Sequence, residues 1–411
     1  MIAIEEAQRL ILKHTAVLTT EEVPLLQGVG RVIARDAHAP WDIPMSDNSA
    51  MDGYAFSALP PQNGQWVVAD FIPAGAQRTI PVAPGEAVKI MTGAPIPPGC
   101  DTVAPIEEVE RTAEGIRLTS GLKPGSHIRR RGEDVRADDL VIAAGSLLRP
   151  QEVGMLVSLG KTSVEVVRKT RVAILATGDE LLEAGATPHA GRIINSNSYS
   201  LAAQVLEAGG EPLLIGIAAD TDSATREKIR EGLQADMLIT TGGVSVGDRD
   251  YVKESIQELG GRLLFWKVNM KPGKPVAFAL LDGKPVFALP GNPVAAMVGF
   301  EMFVRPAMLR MMGHSRIFRP VVRAVLAEEA KNRGDRPHLV RVRVTLRHGV
   351  YSASTTDSQS SANLASLTQG NGLLNLAPNT SIAAGSTAEV VVLDRGFEMG
   401  SIAGDNLAAV E

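Results

Sequence analysis

The stretch Thr240-Thr241-Gly242-Gly243-Val244-Ser245-Val246-Gly247-Asp248-Arg249-Asp250-Tyr251 joins a short apolar strand to an amphipathic helix. Its two adjacent glycines, Gly242 and Gly243, let the backbone approach a ligand closely or adopt a positive φ. The hydroxyl and carboxylate side chains around them can meet phosphate oxygens and a divalent metal ion. Parallel α/β sheets bind their ligands where a strand's carboxyl end leads into a helix. The stretch therefore predicts a ligand-binding loop in an α/β domain.

Strands and helices alternate on both sides of this loop. The pattern predicts strands at 172–176, 213–217, 237–241, 263–268 and 286–289, and helices at 198–207, 224–233, 250–259 and 294–312. Strands that alternate with helices of this length indicate a parallel sheet with right-handed crossovers. The central region is therefore expected to be a parallel α/β domain.

The regions before and after the α/β domain have a different texture. Many prolines and glycines separate short Val/Ile runs between residues 40 and 138, which is typical of a β-rich domain with tight turns. Short alternating segments such as 340–344 and 387–393 predict a small C-terminal β domain. Helices are expected near 4–12 and 150–156. The chain is thus predicted to be a multidomain α/β plus β protein.

Composition excludes several classes of protein. The chain has 411 residues, 45% apolar and 21% charged, with a net charge of −5, so two to four domains and no overall basic field for nucleic acid or anionic membrane are expected. The single cysteine, Cys100, excludes an intrachain disulfide, and the seven histidines are scattered. No apolar run approaches membrane-spanning length. A cytoplasmic location is expected.

Acidic residues follow three of the predicted strands. Asp179 and Glu180 follow the first strand in Thr177-Gly178-Asp179-Glu180, Asp220 follows the second, and Asp250 begins a helix after the third. Taken alone, the first pair is better explained as a turn with a helix N-cap. In the second turn, Asp222 or Ser223 is the expected N-cap. Several carboxylates converging on one edge of a sheet would repel each other unless a cation lies between them.

Two further turns carry anion-binding chemistry. Lys271-Pro272-Gly273-Lys274-Pro275 has a backbone fixed by two prolines, and held ammonium groups suit an oxyanion such as phosphate or molybdate. A solvated basic turn is the alternative. Pro290-Gly291-Asn292-Pro293 begins a helix, and its amides can point at an anion. Neither lysine belongs to a Walker A loop, and no Gly-x-Gly-x-x-Gly follows a strand, which disfavours a dinucleotide-dependent oxidoreductase.

The β-rich region contains three polar turns. They are 49–55 with Asp52, 91–95 with Thr92, and 129–134 with Arg129 and Asp134. Three successive arginines usually form a solvated face or a weak nucleic-acid patch, but acidic neighbours largely cancel their charge here. None of these turns is diagnostic by itself.

Together, and in this order, the seven turns closely resemble those of the MoeA family of molybdopterin molybdenumtransferases, which includes the E domain of gephyrin. The resemblance implies an elongated four-domain homodimer. Its α/β domain, 169–316, would be similar to the molybdopterin adenylyltransferase fold. A β-rich domain, 40–138, would be inserted into a domain split between 1–39 and 139–168, and a C-terminal β domain would span 317–411.

The resemblance also implies an activity. Family members insert molybdate into adenylylated molybdopterin, release AMP and form molybdenum cofactor, with Mg²⁺ required. The adenylyltransferase and molybdoenzyme maturation proteins are possible partners, whereas nucleic acid and membrane are not. Two alternatives stay open: a binding scaffold of this fold that lacks turnover, as gephyrin's clustering role suggests, and adenylylation of molybdopterin itself.

The motifs carry the family's site residues to positions in this chain. Mg²⁺ and the pterin nucleotide would be handled by acidic residues, of which Glu180, Asp220 and Asp250 would bind the metal. The remaining expected site residues are Asp179, Thr177, Gly242, Gly243, Ser245, Lys271, Lys274, Pro275, Pro290, Pro293, Arg341 and Ser361, with Asp52, Thr92, Arg129 and Asp134 reaching the pocket from the other subunit. Ser360 is an equal alternative to Ser361.

Overall fold

This computed structural model describes residues 1–244 and 251–398 of the chain. The described chain forms two compact units. The first unit contains Met1–Val23, Gly30–Val32 and the described residues from Glu165 onward, and the second contains Pro24–Val29 and Ile33–Val164.

Eight α-helices and 27 strands are assigned in the described ranges. The helices are α1 Ile4–Lys13, α2 Pro150–Ser158, α3 Ser196–Glu207, α4 Asp222–Gly232, α5 Tyr251–Glu258, α6 Pro293–Gly299, α7 Arg305–Met311 and α8 Ala365–Gln369. The strands are β1 Thr20–Pro24, β2 Ala37–His38, β3 Asn48–Ser49, β4 Gly53–Phe56, β5 Val67–Ile72, β6 Glu86–Ile90, β7 Thr102–Pro105, β8 Val109–Thr112, β9 Gly115–Leu118, β10 Ile128–Arg129, β11 Leu140–Ile142, β12 Ser163–Val167, β13 Arg171–Thr177, β14 Leu181–Leu182, β15 Ile193–Ile194, β16 Glu211–Ala218, β17 Met237–Thr241, β18 Arg262–Trp266, β19 Ala277–Leu281, β20 Lys284–Leu289, β21 Val321–Leu326, β22 Ala330–Asn332, β23 His338–Arg347, β24 Val350–Thr355, β25 Gly372–Leu376, β26 Thr380–Ile382 and β27 Thr387–Val392.

A six-stranded sheet forms the centre of the first unit, in the order β16-β13-β17-β20-β19-β18. The strands β16, β13, β17 and β20 are parallel, whereas β19 runs antiparallel to both of its neighbours. Helices cover the sheet, and apolar side chains are buried on both of its faces. The α/β prediction is confirmed, and the expected parallel pairing holds for β16, β13, β17 and β20, whereas β19 is antiparallel.

The antiparallel direction of β19 has a simple local cause. Asp282 and Gly283 connect β19 to β20, and both have positive φ, 52° and 74°. Two residues with positive φ form the tight turn that matches the twist of a β-hairpin, and Asp-Gly is a favoured sequence for it. The strand β19 was not predicted from the sequence, although the dipeptide Asp282-Gly283 marks the hairpin.

The strand directions bring five loops to one edge of the sheet. In the register, Thr177 lies opposite Ala218 and Thr241 lies opposite Leu289, so β13, β16, β17 and β20 end together. Since β18 is antiparallel to β19, it runs in the same direction as β20. The turn at 271–275, which follows β18, therefore begins at that same carboxyl edge.

The long helix predicted at 294–312 contains a π-helical segment. Phe300–Val304 lies between α6 and α7, and Pro306 follows in the first turn of α7. A proline has no amide hydrogen to donate to the preceding turn, so an irregular segment there is expected on physical grounds. The helix begins at Pro293, one residue before the predicted start at 294.

The two β-rich regions are also present. A closed barrel is formed by the strands β21, β24, β23, β25 and β27. It has its own buried core of mostly valine, leucine and alanine side chains. In the second unit, β5, β6, β4 and β7 form a four-stranded sheet with apolar residues on both faces. The predicted domain boundaries near 39, 138, 168 and 316 stay predictions.

Cys100 has no disulfide partner, as its being the single cysteine requires, and burial raises the pKa of its thiol to about 12. Among the described helices, none is both long enough and apolar enough to cross a membrane.

The barrel contains a buried histidine that should make stability depend on pH. His338, at the start of β23, is only 6% exposed; burial, and then the charges of Lys271, Arg341 and Arg336, lower its pKa from 6.5 to about 4. Above pH 6.5 the histidine is neutral in both states. Between pH 6.5 and 4 only the unfolded chain takes up the proton, so the folded state loses stability as the pH falls, by up to about 3 kcal/mol.

We expect His338→Gln to lose less stability than the unsubstituted protein over this interval. The measurement is the urea midpoint of unfolding between pH 7 and pH 4. The exposed His189 provides the matched control, His189→Gln, whose midpoint should follow that of the unsubstituted protein. Identical pH profiles for His338→Gln and the unsubstituted protein would contradict the expectation.

Candidate functional site

A cavity of about 480 Å³ lies at the carboxyl edge of the α/β sheet. Loops after β13, β16, β17 and β20 and the first turns of α3 and α6 form its wall. Of the residues predicted from sequence, the wall includes Thr177, Glu180, Asp220, Gly242, Gly243, Pro275, Pro290 and Pro293. Loops that are far apart in the chain thus gather round one cavity.

Two of the predicted acidic residues are held together by the main chain. The amide of Asp179 donates to Oδ2 of Asp220 at 3.3 Å, and the amide of Asp220 donates to Oδ1 of Asp179 at 3.1 Å. Each carboxylate thereby accepts a hydrogen bond from the main chain of the other turn. The turns after β13 and β16 are therefore tied to each other at the cavity's edge.

The N-cap interpretations of these turns are wrong. Asp179 and Glu180 lie in a turn that leads into β14, and the next helix, α3, begins only at Ser196. In α4 the N-cap is Thr221, whose hydroxyl accepts from the amide of Ala224 at 3.4 Å. Asp222 instead lies in the first helical turn and pairs with Arg226.

The donor chemistry at this edge fits a magnesium ion. The carboxylate of Glu180 folds over Gly178, where a Cβ would lie only 2.5 Å from Oε2 of Glu180. Glu180 and Asp220 both line the cavity, and Mg²⁺ is usually bound by one or two carboxylates together with substrate phosphates. Groups of three or more His, Cys, Asp or Glu side chains able to hold a metal are absent from residues 1–244 and 251–398. Asp250 and Ser245 lie outside the described residues.

Gly242 is required by its surroundings. Its φ is +91°, and a Cβ at this position would lie 2.5 Å from the carbonyl oxygen of Thr177 and 3.0 Å from its hydroxyl. Both the backbone conformation and the close approach of β13 exclude a side chain. Gly243 also has positive φ, +61°.

Asn197 is a site residue that the sequence analysis missed. Its Nδ2 donates to Oγ1 of Thr241 and to the carbonyl of Gly291, both at 2.8 Å. The hydroxyl of Thr241 in turn donates to the carbonyl of Pro290 at 3.1 Å. One buried amide thereby fixes α3, the end of β17 and the 290–293 turn around the cavity. The polar run Asn195-Ser196-Asn197 at a helix start was the available signal.

Basic side chains lie where the 271–275 turn meets the barrel. Lys271, Lys274 and Arg341 are called the basic group below. The amide of Lys271 donates to the carbonyl of Pro337 at 2.8 Å, and the amide of Leu339 donates to the carbonyl of Lys271 at 2.7 Å. This pairing places Lys271 beside His338, whose pKa is lowered by the charges of Lys271 and Arg341 after burial. Lys271 and Lys274 are exposed, and neither is part of the cavity wall, whereas Pro275 is.

Arg341 is fully buried and incompletely hydrogen-bonded. Its Nη2 donates to the carbonyls of Ser358 and Ser360, both at 3.1 Å, and its Nε donates to Oγ of Ser366 at 3.3 Å. Its Nη1 is buried and has no hydrogen-bond partner within the described chain. Burial lowers the pKa of the guanidinium. A buried cationic donor without a partner is costly, which makes this group a candidate anion ligand.

The serine loop after Arg341 reaches the cavity wall. Oγ of Ser361 accepts from Nδ2 of Asn292 at 3.0 Å, and its carbonyl accepts from the amide of Val294 at 3.1 Å. Ser360 instead contacts Arg341 through its carbonyl. The loop therefore connects the buried guanidinium to the 290–293 turn, and of the two serines it is Ser361 whose hydroxyl contacts that turn.

The predicted residues of the second unit make local contacts of their own. Asp52 accepts from the amide and the hydroxyl of Thr92, both at 2.7 Å, and these bonds lower the pKa of its carboxyl group. Arg129 lies in β10, opposite Asn48 of β3, and the amide of Asp134 donates to the carbonyl of Ile43. Their expected contribution to a partner subunit's pocket stays a prediction.

The contact between Gly242 and Thr177 yields a test. We expect Gly242→Ala to lower the melting temperature because a Cβ collides with backbone at 2.5 Å. Gly260→Ala is the matched control, since Gly260 has a similar φ, +84°, but open space around it. The control isolates the conformational cost of about 1 kcal/mol. Equal melting temperatures for the two variants would show that close approach of β13 does not matter.

Three family descriptions match successive parts of the chain. They are the MoeA N-terminal region (domain I and II) at residues 2–160, the probable molybdopterin binding domain at 173–310, and the MoeA C-terminal region (domain IV) at 323–393. The second match contains the cavity loops from Thr177 to Pro293, and the third contains Arg341 and Ser361.

Relatives named molybdopterin molybdenumtransferase align with this chain over most of their length. Molybdopterin molybdenumtransferase 2 of Mycobacterium tuberculosis is 36% identical over 405 residues, which cover 95% of this chain and 99% of that protein. Molybdopterin molybdenumtransferase of a Nostoc species is 36% identical over 86% of this chain and 84% of its own. A crystal structure of the molybdopterin biosynthesis MoeA protein from Pyrococcus horikoshii has a TM-score of 0.80 at 30% identity, covering 95% of this chain and 100% of that one.

These matches agree with the seven turns that suggested the resemblance, and they extend across both flanking β regions. The chain belongs to the MoeA family of molybdopterin molybdenumtransferases.

Proposed function

We propose that this protein inserts molybdate into adenylylated molybdopterin, releasing AMP and forming molybdenum cofactor. The observation that carries the proposal is the connection between two sites of opposite charge. A cavity of about 480 Å³ with acidic side chains in its wall is joined by the Ser361 loop to the buried guanidinium of Arg341, whose Nη1 has no hydrogen-bond partner among the described residues. A substrate with a pyrophosphate and an incoming oxyanion needs both.

The cavity supplies positioning for the nucleotide. Gly242 and Gly243 bring backbone close to the ligand, and the amides of the 290–293 turn precede α6, where an anion is favoured. Glu180 and Asp220, with Asp250, would hold Mg²⁺. When bound there, the ion would offset the charge that develops on the phosphoanhydride as it breaks.

Molybdate would bind at the basic group. This group supplies the basic side chains of Lys271, Lys274 and Arg341, and Ser361 supplies a hydroxyl. Pro275, the last residue of the lysine turn, lines the cavity. The oxyanion is a dianion, so desolvated cationic donors bind it more strongly than exposed ones. Arg341 is the desolvated donor in this set.

The proposal includes a homodimer in the cytoplasm. Asp52, Thr92, Arg129 and Asp134 would complete the pocket from the partner subunit. The adenylyltransferase would supply the nucleotide-activated pterin, and molybdoenzyme maturation proteins would receive the product.

Replacing Asp220 tests the acidic site. Asp220→Asn should reduce molybdate-dependent AMP release by at least about 100-fold, because metal binding and charge neutralisation supply most of the catalysis in such a reaction. AMP is measured after mixing purified protein with adenylylated molybdopterin, Mg²⁺ and molybdate. Asp222→Asn is the control, since Asp222 lies two residues away and contacts Arg226 and Ser255 outside the cavity wall.

Full activity in Asp220→Asn would remove that residue from the mechanism. The same assay separates the alternatives. A scaffold without turnover releases no AMP even in the unsubstituted protein, and an adenylyltransferase consumes ATP instead.

Replacing Arg341 tests the oxyanion site. Arg341→Lys should raise the molybdate concentration for half-maximal AMP release by about tenfold or more, since one charged hydrogen-bonding fork is lost. Arg343→Lys, two residues along β23 and exposed, is the matched control. Lys271→Met should shift the same concentration without affecting the buried core. Unchanged molybdate dependence in both Arg341→Lys and Lys271→Met would contradict the assignment.

A further inference from the structure

A second cavity of about 290 Å³ lies in the first unit, between the helices of the α/β domain and the end of the barrel. Its wall includes Gln204 and Glu207 of α3, Met297 of α6, and Leu367 and Leu393 of the C-terminal region. The volume is several times that of one water molecule, and junctions of this kind are common ligand sites.

This second cavity is separate from the one at the sheet edge. Both cavities share α3 and α6, but Asn197 and Pro293 line the first whereas Gln204 and Met297 line the second. Residues 197 and 204 are two turns apart, about 10 Å along the helix axis. The molybdopterin reaction proposed above uses none of the side chains in the second cavity.

The wall carries an excess of negative charge. Arg319 is held by two carboxylates: its Nε donates to Oε2 of Glu301 at 2.9 Å, and its Nη2 donates to Oε1 of Glu207 at 2.7 Å. Asp394 adds a third carboxylate to the lining, and Nε of Arg305 also lies 4.0 Å from Oε2 of Glu301, so three carboxylates face two guanidinium groups. Burial opposes the charge of Arg319, but the hydrogen bonds and charges of Glu301 and Glu207 outweigh it and raise the pKa of the guanidinium. The cavity therefore favours a cation.

An unsatisfied acceptor in the wall points to a missing donor. Gln204 is 7% exposed, and its Nε2 donates to Oε1 of Glu301 at 2.9 Å and to the carbonyl of Met297 at 3.2 Å. Its Oε1 is buried and has no hydrogen-bond partner among the described residues. An orphaned acceptor of this kind is costly, and a ligand that carries N–H groups would satisfy it.

Four aliphatic side chains also line this cavity. Met297, Val298, Leu367 and Leu393 contribute aliphatic surface, and Val298 is 1% exposed. We propose that this second cavity binds a small organic cation with an apolar body and a terminal ammonium or guanidinium group. The apolar body packs against the aliphatic wall, and the cationic group lies near Glu207 and Gln204.

Isothermal titration with 2-phenylethylamine tests the proposal, and it requires no turnover. The neutral 2-phenylethanol and the anionic 3-phenylpropanoate have the same apolar body. The amine should bind about tenfold more tightly than the alcohol, and 3-phenylpropanoate should bind more weakly than either, because only the amine provides a charged donor. Equal affinity for amine and alcohol, or no binding of the amine, overturns the proposal.

Two variants locate the binding site. Glu207→Gln should weaken amine binding about tenfold. Glu258→Gln is the matched control, because Glu258 is also a half-exposed glutamate paired with an arginine, Arg226, and its replacement changes the net charge equally. Leu367→Trp should abolish binding by filling the cavity without changing charge. Equal amine affinity in Glu207→Gln and Glu258→Gln, or unchanged binding in Leu367→Trp, places the cation elsewhere and overturns the assignment.

Discussion

The parallel pairing of β13, β16, β17 and β20 is the constraint on which the site depends. The chain leaves all four parallel strands at the same edge of the sheet, so every loop that follows one of them begins close to the others. The register then sets the details: with Thr241 opposite Leu289, the glycine loop and the 290–293 turn start side by side. The contact of Gly242 with Thr177 is a direct result of this closeness.

The barrel contributes to the site through main-chain pairing. Lys271 forms backbone hydrogen bonds with Pro337 and Leu339, on both sides of His338, so the lysine turn is held by contacts that do not depend on its own side chains. The loop containing Ser361 makes a second connection, to Asn292 and Val294. Because these contacts use backbone groups and one amide, the lysine ammonium groups remain exposed to solvent.

Much of this arrangement could be predicted from the sequence, because apolar periodicity and glycine turns are local signals. The strand 237–241 was predicted with its observed bounds, and the glycine loop was placed correctly at its end. The hairpin strand β19 and the hydrogen bonds made by Asn197 were not predicted. An asparagine at a helix start is normally a cap, and only the fold shows that this one reaches another strand and a turn.

Arg341 shows a second limit of sequence-based inference. A strand of alternating valine and arginine predicts apolar residues inside and arginines outside, and Arg343 follows that rule. Arg341 lies in the same strand yet is fully buried. Its burial depends on carbonyl groups of Ser358 and Ser360 that fold back over it, and no local pattern indicates this long-range contact.

The partners of the charged groups explain why the two halves of the site stay available for ligands. Some other arginines of the first unit are neutralised by acids, as in the pair Arg168–Asp236 at 2.6 Å. Arg341 is held instead by neutral carbonyls and a hydroxyl, and Asp220 accepts from the amide of Asp179. Neutral partners fix the position of a charge without cancelling it. A guanidinium and a carboxylate that were paired with each other would have no charge left for an oxyanion or a metal ion. In the proposed mechanism, the separation of the acidic cavity from the basic group, with the uncharged loop of Ser361 between them, would leave both charges free to bind one substrate.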